Sequence, residues 1–255
     1  MSDHVEVRRE GHVLSIVLNR PERRNALTVA MYAALADAVR SASEDSEVRL
    51  ITIRGEGADF TAGNDLMDFL QEARPDSIEE LPVGRFLLAL ADNEVPLIAA
   101  VQGNAIGIGT TMLLHCDLVL ADAATRFKMP FVELGLVPEA ASSLILPRLS
   151  GRRASARMLL LGESFSTDEA AQWGIVSHVI PTGGLEEALA GVVETLLSRP
   201  PEALRLTQRL LRSADRVEIG ERIGVEGRHF GERLQSDEIK QAIAAFFAAR
   251  SGAAA

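Results

Sequence analysis

The sequence predicts an α/β protein built on a largely parallel sheet. Between residues 48 and 122, apolar strand-like runs (VRLITIRG, PLIAAVQG, DLVLA) alternate with helix-like ones. That order requires crossovers between parallel strands. From Val95 to Cys116 no residue is charged if His115 is counted neutral, a run long enough to span a bilayer. Pro96, Gln102, Gly103, Asn104, Gly107 and Gly109 interrupt it, so it reads as a buried strand, a glycine-rich turn and the opening of a buried helix. With 255 residues, 47% hydrophobic and 24% charged, the chain can bury the core of one large domain, or of one domain with an appendage.

The first element is a hairpin: VEVRREGHVLSIVLNR alternates apolar and polar residues about Glu10-Gly11, and Pro21 ends it. Thr28 can cap a helix running to about Asp45, with Met31, Leu35, Val39 and Ala42 at helical spacing. VRLITIRG follows as a buried strand. After a glycine-bearing loop come a helix near Leu66 to Gln71, a loop around Pro75, a helix through RFLLALADN and the strand PLIAAVQG. A glycine turn, a helix to about His115 and the strand DLVLA complete a further unit. Beyond Pro201 no proline occurs, and the Arg- and Glu-rich segment is helical in pattern. Such a tail is either a solvated cap or an oligomerisation arm, and its apolar positions Ile219, Ile223, Ile239, Ile243 and Phe246 are ones that one domain need not bury.

A net charge of −10 opposes phosphate-backbone binding, so nucleic acid is not an expected partner. The one cysteine, Cys116, can form neither an intrachain disulfide nor a thiolate metal cage. The start MSDHVEVRREG and the end ARSGAAA carry no recognisable address signal. A cytoplasmic protein without a membrane span is expected. His115-Cys116-Asp117 could suggest a metal, but three consecutive residues cannot converge on one ion, so none is expected.

Two loops, FTAGNDL at 60–66 and GNAIGIGT at 103–110, each put a glycine-rich turn before a helix. Their free N–H groups can hold an anionic oxygen; tight turns or close packing would need the same glycines. In GLVPEAASSLILPRLSG, Pro138 suits a first helical position with Glu139 beside it. Yet Glu139 is the only carboxylate between Glu133 and Glu163, amid apolar neighbours, and a carboxylate in an apolar pocket becomes a usable base at neutral pH.

LNRPERRNAL, FTAGNDL, AAVQGNAIGIGTTMLLHCDLVLA and FKMPFVELGLVPEAASSLILPRLSG, in that order and spacing, resemble the crotonase superfamily, also called the enoyl-CoA hydratase/isomerase family. The resemblance covers essentially the whole chain. It implies a spiral of ββα units over residues 1–200, and a C-terminal helical region over 201–255 that makes homotrimers or homohexamers. It implies an acyl-CoA substrate, with coenzyme A as part of that substrate and no further cofactor. By matching position, the N–H groups of Asn64 and Ile108 would hold the thioester oxygen. Arg24, Ala26, Ala62, Gly63, Asn64, Asp65, Leu66, Met67, Ile108 and Phe131 would line the substrate site. Arg23, Arg24 and arginines of the tail are candidates for the CoA phosphates.

The two glutamates by which family hydratases activate water match Thr111 and Phe131, and neither can do that work. GNDL and PFVELGLVPEAASS instead look like Δ3,Δ2-enoyl-CoA isomerases, whose single catalytic glutamate matches Glu139. Where those isomerases often have glycine and cysteine next, this chain has Ala140 and Ala141. The implied function is isomerisation in fatty acid oxidation, with Thr111 idle. The alternatives are a hydratase-type lyase and a non-catalytic acyl-CoA-binding protein.

Overall fold

A computed structural model describes residues 3–71, 80–239 and 241–242. The loop expected around Pro75, and Ile243 and Phe246 of the tail, lie outside the described residues. The opening hairpin forms as its alternation requires: β1 (Val5–Glu10) and β2 (Val13–Leu18) pair antiparallel across the turn at Gly11. β3 (Leu50–Gly55), β4 (Leu97–Val101), β6 (Leu118–Asp122) and β9 (His178–Ile180) extend this sheet, all parallel, in the order β1-β2-β3-β4-β6-β9. Between them the chain spins off a second sheet of β5 (Asn104–Ile106), β7 (Arg126–Lys128) and β8 (Phe165–Ser166). The chain thus spirals: after β4 and again after β6 it adds a strand to the second sheet before its next helix.

The central strands β3, β4 and β6 are apolar on both faces because both are covered. Ile51 and Ile53, Ala99 and Val101, and Val119 and Ala121 belong to the main core with α1 (Val29–Glu44) and α3 (Pro82–Asp92). Their neighbours Leu50, Ile98 and Leu120 point the other way and meet α8 (Leu185–Leu197) through Leu189, Val192 and Leu196. Thr28 caps α1 by accepting the N–H of Met31 at 3.2 Å, as the sequence suggests.

The remaining helices are α2 (Leu66–Gln71), α4 (Ile108–Thr111), α5 (Ser142–Leu149), α6 (Gly151–Leu159), α7 (Thr167–Gln172), α9 (Pro201–Ser213) and α10 (Arg216–Leu234). The helix expected up to His115 is shorter than its pattern: α4 tightens into a 3₁₀ turn at Met112–His115. Among the described residues no helix is long and apolar enough to cross a membrane.

The tail departs from expectation in what it exposes. Ile223 and Ile239, read from the sequence as apolar positions one domain need not bury, are each 1% exposed against the main core. The apolar residues left in solvent are instead Leu206, Leu210, Leu211 and Val217, between 48% and 75% exposed. α10 packs on α3 and α5, which satisfies its own apolar face, whereas α9 turns a leucine row outward.

Candidate active site

The two glycine-rich loops are stitched side by side. Phe60 N–H donates to Gln102 O at 2.7 Å, Thr61 N–H to Asn104 O at 3.0 Å, and Ile106 N–H back to Thr61 O at 3.1 Å. Two glycines permit the approach. A Cβ on Gly63, which sits at φ +87°, would lie 2.8 Å from the carbonyl oxygen of Ile106, and one on Gly109 would lie 2.5 Å from Cγ2 of Thr61.

The first loop is also held from behind. Leu27 N–H donates to Gly63 O and Asp65 N–H donates to Leu27 O, both at 2.8 Å. Asn64, between these two bonds, keeps its own N–H free, as the middle residue of a parallel bridge does. Ile108 is the first residue of α4, where an N–H has no acceptor within the helix. Among the described residues neither N–H has a hydrogen-bond acceptor. The loops therefore present two unpaired backbone donors from adjacent segments.

The donors open onto a groove of ≈ 380 Å³ lined by Arg24, Ala26, residues 62–67, Ile108 and Phe131, together with Arg23, Leu136 and Phe230. All ten residues expected to line the substrate site are in this wall, as is Arg23, whereas no arginine of the tail is. The 24–26 stretch is held by Asn25, fully buried at φ 54°, whose amide donates to Glu56 O and Asp59 O at 2.9 and 2.8 Å. Arg20 spans the site, donating to Ala26 O at 3.0 Å and to Asp65 Oδ2 at 2.8 Å. Burial works to raise the Asp65 carboxyl, but Arg20 and the N–H groups of Asp68 and Met67 outweigh it and hold it below the usual carboxylate range.

Glu139 is not one of the groove-lining residues. It is 7% exposed and is tied to the wall through Thr111, whose hydroxyl donates to Glu139 Oε1. Thr111 lies on α4, one turn from Ile108, so the base candidate and one backbone donor share a short helix. The helix start suggested by Pro138 is displaced: α5 begins only at Ser142, because Ala140 and Ala141 both adopt the left-handed conformation, at φ 58° and 55°. That double kink swings Glu139 out of helical register. It is pinned by the buried ring of His115, whose Nε2 donates to Ala140 O at 2.8 Å, and by the N–H and hydroxyl of Ser142, which donate to Glu139 O. Burial pushes His115 down to about 4, so the ring is neutral and serves as a strut. Asp117 turns elsewhere, accepting from Leu97 N–H and Gln208.

Burial pushes the Glu139 carboxyl up to about 8; the Thr111 hydroxyl opposes this, and the nearby Glu226 adds to it. With Oε1 held by Thr111, Glu139 Oε2 is buried and has no hydrogen-bond partner among the described residues. Such an oxygen is available to accept a proton. Thr111 is therefore not the idle position its sequence suggests, since it holds the carboxylate and steadies its charged form. Thr111→Val should raise the Glu139 pKa further and shift the acid limb of the pH–rate profile to higher pH. Turnover falls at pH 7 and recovers in alkaline buffer, as steady-state rates against pH would check.

The family model for enoyl-CoA hydratase/isomerase matches residues 8–252. The chain belongs to this family. A solved enoyl-CoA hydratase/isomerase from Pseudoalteromonas atlantica is 40% identical, covers 96% of this chain and 97% of its own, and superposes with a TM-score of 0.90. Enoyl-CoA delta isomerase 2 of Rattus norvegicus is 32% identical over 86% of this chain, which spans 56% of that relative. The 2,3-dehydroadipyl-CoA hydratase of Escherichia coli is 31% identical over 96% of both.

Relatives of like identity thus carry both isomerase and hydratase names. The spiral of two sheets is the crotonase fold expected from the motifs. For this enoyl-CoA hydratase/isomerase, sequence reasoning overlooked three contributors: the hydroxyl of Thr111, the strut of His115 and the carboxylate of Glu226. Only Glu226 had a readable signal. Ile219, Ile223, Glu226 and Phe230 recur at four- and three-residue steps, which puts one carboxylate on an apolar helix face.

Proposed function

We propose that this enoyl-CoA hydratase/isomerase is a Δ3,Δ2-enoyl-CoA isomerase of fatty acid oxidation. The observation that carries the reading is Glu139: a buried carboxylate raised to about 8 with one oxygen unpaired, in a site where Thr111 and Phe131 supply no second carboxylate. The thioester oxygen of a 3-enoyl-CoA accepts the N–H groups of Asn64 and Ile108. Glu139 takes a proton from carbon 2, and the C–H electrons delocalise through the thioester as an enolate conjugated with the C3–C4 double bond. The backbone donors bind the developing oxyanion. Glu139 returns the proton to carbon 4, the double bond re-forms between carbons 2 and 3, and the base is regenerated.

No water is consumed, which is why one base suffices. Hydration would need one group to deliver hydroxide and another to deliver a proton to the neighbouring carbon. The test is to give the purified protein 3-enoyl-CoA and 2-enoyl-CoA of several lengths and identify the products. Conversion of the 3-enoyl to the 2-enoyl isomer, without 3-hydroxyacyl-CoA, is expected. Hydroxyacyl-CoA as the main product would favour the hydratase reading, and no turnover would favour a binding protein.

The exposed leucines of α9 support assembly as a trimer or a dimer of trimers. Light scattering at micromolar concentration should give a trimer or hexamer mass, and a monomer mass would refute it.

A further inference from the structure

Glu226 is 5% exposed on α10 and touches no reacting atom in the chemistry above. Its Oε1 accepts the backbone N–H of Ser143 at 2.9 Å, at the start of α5, four residues after Glu139. Its Oε2 is buried and, among the described residues, has no hydrogen-bond partner. The same is true of Glu139 Oε2, so two buried carboxylates flank the double kink of Ala140 and Ala141, one from the core and one from the tail. Phe230, one turn further along α10, lines the substrate groove. The helix that caps the kink therefore also closes the pocket.

We propose that Glu226 is a positioning residue for Glu139: its carboxylate clamps the start of α5, fixing the kink that aims the base, and its charge behind the base sets how readily Glu139 takes a proton. This rests on the reading of Glu139 as the base. A carboxylate is an ordinary choice for capping a helix start, since it complements the free N–H groups. It is an uncommon choice beside a second buried carboxylate, because two such charges repel at low dielectric.

The charged and titratable groups around the pair do not remove that repulsion. Arg222, one turn back on α10, favours the charged form of Glu226. His115, bonded to Ala140 O, is neutral, and Arg212 behind it is bonded to Asp117. Arg148 and Glu218, which join α5 to α10, are exposed and neutralise each other. Burial raises Glu226, while the Ser143 hydrogen bonds lower it. Burial prevails and Glu226 stays above the usual carboxylate range, with Ser143 and Arg222 favouring its charged form; once charged, it disfavours the charged form of Glu139.

Two substitutions separate the clamp from the charge. In Glu226→Gln the amide oxygen still accepts Ser143 N–H but the charge is gone. The acid limb of kcat/KM for 3-enoyl-CoA should shift to lower pH, with the alkaline plateau of kcat kept. Glu226→Ala loses both, and kcat should fall by about tenfold to a hundredfold with little change in KM, as for a misaimed base. Glu226→Asp should restore part of the loss. A carbon-13 NMR titration of the Glu139 carboxyl in the parent and in Glu226→Gln reads the charge effect without turnover, and the midpoint should fall in the variant.

An unmoved Glu139 midpoint together with unchanged kcat in folded Glu226→Ala would overturn the proposal. Full activity in Glu139→Gln would instead overturn the base itself. A shift of the NMR midpoint would still stand in that case, so the two failures are distinguishable.

Discussion

Glu139→Gln is expected to give a folded protein that binds CoA yet converts 3-enoyl-CoA on the order of 10²-fold or more slowly. An amide cannot accept the carbon-bound proton, and among the described residues the site holds no second carboxylate in contact with Thr111. The same substitution should stabilise the fold. With its pKa at about 8 against an ordinary 4.5, Glu139 keeps a proton in the folded chain that the unfolded chain releases. Stability from this group is therefore fully present below about pH 4.5 and declines as pH rises toward about 8, by on the order of a few kcal/mol. Glutamine does not ionise. The variant should melt above the parent at pH 8, with the difference narrowing toward pH 5 in thermal scans, and an unchanged or lower melting temperature at pH 8 would show that Glu139 is not buried as a raised acid. Parental kcat/KM should rise with pH through about 8 as the base ionises.

Asn64→Pro is the second large effect. Proline deletes the N–H and leaves the loop without one of its two unpaired donors. Loss of one oxyanion donor costs about 10² to 10³ in rate. Ile108→Val should have a modest effect, because the donor is backbone and survives the change. Proline also strains the parallel bridge to Leu27 and removes the amide that accepts from Tyr32, so circular dichroism and CoA binding must show the variant folded. A folded Asn64→Pro protein turning over 3-enoyl-CoA at near the parental rate would place the oxyanion donors elsewhere.

Much of the fold and of the site wall was legible in the residues. The alternation about Gly11, the cap at Thr28 and the strand that opens the uncharged run from Val95 became the elements their patterns demand, because each signal is local. The second sheet was not legible. Its strands have two or three residues, too short to show a period. The start of α5 was not legible because Pro138 and Glu139 fit a first helical turn, and the bond from His115 to Ala140 O at the positive-φ alanines comes from a distant segment. The groove residues were named by matching position to the crotonase superfamily, whereas Glu226 bonds a residue 83 positions away. In a tail dense with Arg and Glu, such a carboxylate looks solvated until its helix face is drawn.

The most direct test follows one hydrogen. Incubated with 3-enoyl-CoA carrying deuterium at carbon 2, the protein should give 2-enoyl-CoA with part of the label at carbon 4. Glu139→Gln should give none, since one carboxylate both takes and returns the proton. With both hydrogens of carbon 2 replaced by deuterium, product that carries no deuterium at carbon 4, or the same transfer of label in Glu139→Gln, would contradict Glu139 as the base of a one-base isomerisation.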